Sequence, residues 1–262
     1  MNDTRPIGVF DSGIGGLSVL KELVSLMPKE NYIFVADQLN VPYGEKTKKE
    51  LQKITLAICN FFVSQNTKLI VIACNTATCY ALDYLRSKIN IPIVGTVPAI
   101  KPAAQKSKSG VMGVLSTPAT SKSLYLKNLI KLHASNIKVV NIGCFNLENT
   151  VEKGDLNSPK VKKLLNKYIR PIKKSGADVI VLGCTHYPFL KNQIQNITGI
   201  STIDSGKAIA EHTKKTLQRM SASNKSGGEI HFYTTGKARF FSKVASLLLK
   251  KTISAQKLIL KI

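Results

Sequence analysis

The chain has 262 residues, 44% hydrophobic and 20% charged, with no tryptophan, a length that buries a core without disulfide staples as one large domain or two ordinary ones. No run approaches the ~18 apolar residues of a membrane span, and "MNDTRPIGVF" lacks the basic region and apolar stretch of a secretory signal, so a cytoplasmic protein with no membrane partner is expected. Lysine plus arginine total 38 against 15 for aspartate plus glutamate, and the net charge of +23 favours weak, nonspecific nucleic-acid contact without bearing on fold.

In chain order, Val- and Ile-rich runs and amphipathic segments predict a strand near 5–10, helix 16–27, strand 31–36, helix 47–65, strand 68–73, helix 77–88 and strand 92–95. A second series follows: strand 111–115, helix 118–133, strand 137–141, helix 158–170, strand 178–182, helix 187–196 and strand 200–204. Helix 206–219, strand 229–233 and helix 236–250 complete the chain. Strands without polar alternation, separated by helices, indicate parallel sheets covered on both faces, the α/β class. The segment "KVKKLLNKYIRPIKK" puts Lys160, Lys163, Lys167, Arg170 and Lys174 on one helical face, opposite Val161, Leu164, Leu165 and Tyr168. It reads as a solvated basic face, without the interleaved aromatics of a nucleic-acid groove. Pro171 is expected to end or kink that helix.

Four segments recur in one order at nearly one spacing: "GVFDS" and "GVLST" (8 and 113), "NYIFV" and "NIKVV" (31 and 136), "IACNT" and "LGCTH" (72 and 182), "IPIVGT" and "ISTIDS" (91 and 200). The chain therefore reads as two similar, pseudo-symmetric α/β domains joined near "GTVPAIKPAA". Residues 1–97 form the first, completed by 209–262 packing back on it; residues 98–208 form the second. Ligands of open α/β sheets bind outside the carboxyl ends of the strands. "DSGIGG", "CNT" and "CTH" fall there, so Cys74 and Cys184 are expected to face one cleft between the domains.

The five cysteines (Cys59, Cys74, Cys79, Cys144, Cys184) are odd in number and contain no Cys-x-x-Cys pair, which argues against a disulfide framework and a zinc ribbon. Cys74 and Cys184 each lie between a buried strand and a helix N-terminus, a placement expected to lower a thiol pKa from ~8.5. No further ligand pair accompanies His186, so no metal is assigned. A Cys-His nucleophile for acyl transfer stays open but uses one cysteine, not two in equivalent places. Two thiols facing one carbon suit a two-base proton exchange, one removing a proton while the other delivers one to the opposite face. Asp11 either caps the helix starting near Gly16, orients a cysteine, or contacts a substrate ammonium. Gly13, Gly15 and Gly16 allow close approach to a ligand carboxylate; Ser18 stands where a dinucleotide fingerprint needs its third glycine. The loop "VPYGEK" reads either as an ordinary turn marked by Pro42 and Gly44 or as a wall of the cleft with the Tyr43 hydroxyl donating to a carboxylate.

The motifs "IGVFDSGIGGLSVLKEL", "PYG", "VIACNTAT", "VLGCTHYPFL", "DSG" (204–206) and "TTG" (234–236) resemble, in order and over nearly the whole chain, the glutamate racemases of the aspartate/glutamate racemase superfamily. The resemblance implies interconversion of L- and D-glutamate without pyridoxal phosphate or metal, hence no cofactor, supplying D-glutamate for peptidoglycan. Position by position, it implies Cys74 and Cys184 as catalytic thiols, with Asp11, Glu152 and His186 assisting. It puts substrate contacts on Asp11, Ser12, Tyr43, Gly44, Asn75, Thr76, Thr185 and His186, and implies a homodimer. This chain departs from the family at Ala36, where glycine is usual, and in "FNLENTVEKG", which lacks the usual prolines and reads otherwise as a solvated loop around Glu152. The rival readings are an aspartate racemase and a nucleic-acid-binding protein. The start of the chain, a few residues before the first strand, predicts no added regulatory segment.

Overall fold

A computed structural model describes residues 2–261. The first series of elements is β1 (Ile7–Asp11), α1 (Leu17–Leu26), β2 (Tyr32–Ala36), α2 (Lys48–Ser64), β3 (Leu69–Ile72), α3 (Asn75–Lys88), β4 (Ile93–Gly95) and α4 (Ile100–Lys106). The second is β5 (Val111–Ser116), α5 (Pro118–Lys122), α6 (Leu124–His133), β6 (Lys138–Gly143), α7 (Leu147–Glu152), α8 (Pro159–Lys174), β7 (Val179–Leu182), α9 (Lys191–Thr198) and β8 (Ser201–Ile203). The chain ends with α10 (Gly206–Arg219), β9 (Ile230–Thr234), α11 (Ala238–Leu249) and β10 (Ala255–Lys257). Short 3-10 turns occur at Ile14–Gly16, Tyr43–Glu45 and Tyr187–Leu190.

The strands form two sheets, β10-β9-β2-β1-β3-β4 and β6-β5-β7-β8, with every pairing parallel. The order 2-1-3-4 in the first recurs as 6-5-7-8 in the second, as the sequence repeat requires. The equivalence extends to single bonds. Ala73 N–H donates to the Phe10 carbonyl at 2.7 Å, and Gly183 N–H donates to the Leu115 carbonyl at the same 2.7 Å. These bonds bring the ends of β1 and β3, and of β5 and β7, side by side just before each cysteine.

Strands β1, β2, β3 and β7 are buried along their whole length, which explains their unbroken apolar runs. Each fully buried Val, Leu, Ile or Phe contributes roughly 1.5–3 kcal/mol by leaving water. The chain after β8 returns to the first sheet: α10 packs on α1, β9 pairs with β2, and β10 extends the edge. Among the described residues no helix is long and apolar enough to cross a membrane.

Several expectations need correction. Helix 118–133 is broken at Ser123, whose hydroxyl accepts from Leu126 N–H and caps a fresh helix. Helix 187–196 starts as a 3-10 turn, with Pro188 in its first turn. Helix α8 runs past Pro171 to Lys174; the proline lies near the end, where it forfeits one bond, and buried Ile172 against Gly113 holds the last turn in place. Helices α4 and α7 and strand β10 were not predicted. The stretch containing Glu152 is α7 rather than a loop, and it is largely buried.

Candidate active site

The cleft lies at the carboxyl ends of the strands, between the two sheets. The first half lines it with Ser12, Pro42–Gly44 and Cys74–Thr76; the second lines it with Thr117, Glu148 and Cys184–His186. The structure thus brings both expected thiols, and all the expected contacts except Asp11, to one wall-to-wall space.

Cys74 is the N-cap of α3, and its sulfur accepts from Ala77 N–H at 3.5 Å. Ser12 Oγ lies 4.0 Å from the same sulfur. Asp11 is fully buried behind them. Its Oδ2 accepts from Gly16 N–H at 2.6 Å and from Thr185 Oγ1 at 3.3 Å, so it caps the turn leading into α1 and reaches across to the other half. Burial, opposed by the nearby His186 charge, pushes Asp11 up to about 6.

Behind Cys184 the arrangement differs. Its sulfur lies 3.6 Å from His186 Nδ1, and His186 Nε2 lies 2.7 Å from Glu152 Oε1. Glu152 Oε1 also accepts from Ile14 N–H at 2.6 Å, and Oε2 accepts from Gln38 Nε2 at 2.6 Å. Burial alone would raise Glu152, but His186, Gln38 and the Ile14 N–H outweigh it and hold the carboxylate below its ordinary value. Burial would lower His186, but its bonds to Cys184 and Glu152 hold it well above the usual imidazole range. In this buried pair the hydrogen bonds favour the charged form on both sides, raising His186 and lowering Glu152.

This packing explains the glycine-rich loop. A Cβ on Gly13 would overlap Glu152 Oε1, and one on Gly15 would overlap the His186 ring. The close approach expected for a ligand carboxylate is made here by the protein's own carboxylate and imidazole.

The expected lowering of the thiol pKa values is not found. Burial pushes Cys74 well above the ordinary thiol value, with Asp11 adding to it. Burial also raises Cys184, but its contact with His186 pulls the other way. Desolvation outweighs the α3 N-terminus at Cys74, and Cys184 precedes only a 3-10 turn. Tyr43 lines the cleft, and its hydroxyl donates at 2.7 Å to the protein's own Asp37 carboxylate, which also accepts from Thr235 and Asn40. Cys79 is half-buried and accepts from Ser123 Oγ at 3.7 Å, a packing role. Among the described residues no group of His, Cys, Asp and Glu side chains is arranged to hold a metal ion.

Three residues near the cysteines were not anticipated. Thr117 joins Thr76 and Thr120 in a triangle of hydroxyls, 3.0–3.1 Å apart, that spans the two halves. Its signal was present: Thr117 is the counterpart of Ser12 in the repeat. Glu148 lines the cleft with a buried Oε2 that has no partner among the described residues, and the same holds for Asn75 Oδ1. Gln38 lies outside the cleft, behind Glu152.

Two parallel sheets of repeated strand order, with a thiol at the end of an equivalent strand in each, define a pseudo-symmetric α/β protein with a two-thiol cleft. The Asp/Glu/Hydantoin racemase family matches residues 7–213. A glutamate racemase of Herpetosiphon aurantiacus is 41% identical over 93% of this chain and 98% of its own length. The crystal structure of a glutamate racemase isoform from Bacillus anthracis superposes with a TM-score of 0.87 at 30% identity, covering 98% of each chain. That of Francisella tularensis glutamate racemase in complex with D-glutamate gives a TM-score of 0.85 at 30% identity, also covering 98% of each. The chain belongs to the Asp/Glu/Hydantoin racemase family. Within it the chain groups with the glutamate racemases, and it is an amino-acid racemase, an isomerase.

Proposed function

We propose that the protein interconverts L- and D-glutamate by a two-base exchange at the α-carbon, with Cys74 and Cys184 as the acid–base groups. The observation that carries this reading is that two thiols, at equivalent positions of a duplicated fold, line one cleft from opposite halves. In the starting state one cysteine is a thiolate and the other a thiol. The thiolate takes the α-proton from one face, and the electron pair left on the α-carbon delocalises into the adjacent carboxylate. The opposite thiol then gives its proton to the other face. The two cysteines end with their protonation exchanged, and nothing is oxidised or reduced.

The cleft suits a substrate with two carboxylates and one ammonium. Hydroxyls of Ser12, Thr76, Thr117 and Thr185 and the N-terminal N–H groups of α3 offer donors to carboxylates, oriented before the charge develops. Two buried acceptors of the cleft that lack partners among the described residues, Asn75 Oδ1 and Glu148 Oε2, are what an α-ammonium requires. Tyr43 and Gly44 wall the cleft, Asp11 stands behind Cys74, and the His186–Glu152 pair stands behind Cys184. Residues 1–97 with 209–262, and 98–208, are the two units that carry these halves.

In this reading no cofactor takes part, the enzyme works in the cytoplasm as a homodimer, and its product supplies peptidoglycan synthesis. The net charge of +23 supports a weak nucleic-acid contact beside this activity, recognisable by its loss at moderate salt. Circular dichroism of L-glutamate with purified protein and no added cofactor tests the function. The signal should decay to zero, and much faster than that of L-aspartate. A steady glutamate signal contradicts the proposal, and faster decay on aspartate reassigns the substrate.

A further inference from the structure

We infer that Gln38 is a positioning residue for the Cys184 side of the site, held in its working orientation by Thr234. The inference rests on the reading of Cys184 as an acid–base group. Gln38 lies two residues beyond β2, outside the cleft, and touches neither thiol. Its Nε2 donates to Glu152 Oε2 at 2.6 Å, and its Oε1 accepts from Thr234 Oγ1 at 3.1 Å. Thr234 ends β9 and is fully buried, and its hydroxyl accepts from Gly236 N–H at 3.0 Å. With that N–H as its donor, the Thr234 hydroxyl gives its own proton to Gln38. This fixes the amide: oxygen toward Thr234, nitrogen toward Glu152. The flipped amide would set its oxygen against the carboxylate.

Glu152 Oε1 is occupied by Ile14 N–H and His186. Oε2 receives its hydrogen bond from Gln38. A connected series therefore runs from Thr234 through Gln38, Glu152 and His186 to Cys184, with links of 3.1, 2.6, 2.7 and 3.6 Å. Gln38 and Ile14 belong to the half built on the first sheet, Glu152 and His186 to the half built on the second. The carboxylate is locked where the halves meet. Through the same contact the "TTG" segment brings the returning chain end to bear on the opposite cysteine.

The charged groups facing Glu152 are His186, Asp11 and Glu148. Removing the Gln38 donor takes away one of the contacts that keep Glu152 ionised, so the carboxyl should take up a proton at higher pH. For Gln38→Leu, kcat should fall roughly tenfold, about 1.4 kcal/mol on the barrier, with KM within about twofold. The acid limb of the kcat profile should move to higher pH, and the 13C carboxyl signal of Glu152 should titrate at higher pH. Thr234→Val, which keeps the shape and removes the hydroxyl, should shift both readouts the same way by less.

Gln38→Glu supplies the sharpest arm. At pH 8 its carboxylate faces Glu152, and activity should drop below that of Gln38→Leu. On acidification its O–H becomes a donor to Glu152, and activity should recover relative to Gln38→Leu. The inference is overturned if Gln38→Leu keeps kcat within about twofold of wild type. It is also overturned if the loss comes with a matching rise in KM and an unmoved acid limb, or if Gln38→Glu shows no recovery in acid. Should Gln38→Leu fail to fold, Thr234→Val decides by the same readouts, with Tm as the check on folding. A wild type that racemises glutamate while Gln38→Leu matches it contradicts this inference alone. A wild type that does not racemise glutamate contradicts the proposed function, and the Glu152 titration still decides the contact.

Discussion

Cys74 and Cys184 end equivalent strands, yet the groups behind them carry opposite charge. The repeat pairs Ser12 with Thr117 and Cys74 with Cys184, and keeps the backbone bonds before each cysteine equal. It breaks at Asp11, whose counterpart is Ser116, and at His186, whose counterpart is Thr76. Cys74 therefore faces a buried carboxylate, and Cys184 faces an imidazole whose bonds to Cys184 and Glu152 hold its pKa well above the usual range. The difference teaches that the duplicated scaffold sets where the thiols stand, while the divergent side chains set which one carries charge. Burial raises both thiols; the contact with His186 opposes that rise at Cys184, and the Asp11 carboxylate adds to it at Cys74, so in the proposed exchange Cys184 is the thiol more readily ionised. A two-base exchange needs that inequality at its start.

The largest effect should come from the thiols themselves. Cys74→Ser and Cys184→Ser should each lower racemisation by about 10³-fold or more, while glutamate still binds. Turnover like wild type in either variant, read by the same dichroism assay, would break the comparison at its root.

Asp11 comes next, through stability. Its pKa is raised from 3.8 to about 6 in the folded chain, so the folded state binds more protons than the unfolded one between those values. Stability from this group is therefore full below 3.8 and is lost as pH rises through about 6. The shift is worth up to about 3 kcal/mol. Denaturant unfolding of Asp11→Asn across that window should show a flatter decline than wild type. An identical slope would mean that Asp11 does not carry the buried charge assigned to it.

Glu152→Gln should act on the other side. Losing the anion lowers the His186 pKa, so the alkaline limb of the rate profile should move to lower pH. The rate at its optimum should fall roughly 30-fold, about 2 kcal/mol. A profile displaced upward instead would place His186 outside the influence of Glu152.

Much of this was legible in the sequence because strands buried on both faces leave unbroken Val and Ile runs, and the repeat of those runs marked two similar halves; the strand order within each sheet was not legible. The thiols were legible for the same reason: each follows such a run directly. What escaped depends on reach across the fold. Glu152 reads as a loop residue because α7 has only six residues, too few to show a helical period. Gln38 carries no motif, and its role exists only where β9 and α7 meet beside it. The β10 segment, Ala-Gln-Lys, is an edge strand with two exposed positions and no apolar alternation to mark it. The thiol pKa values were misjudged because a sequence shows the helix N-terminus but not the depth of burial.

The central claim, that one thiol removes the proton and the other replaces it, is tested most directly by racemising L-glutamate in deuterated water and stopping early. The account predicts D-glutamate deuterated at the α-carbon, while the recovered L-glutamate still holds protium. D-glutamate retaining its protium, or L-glutamate exchanging as fast as product forms, would show a single group acting on both faces and would contradict it.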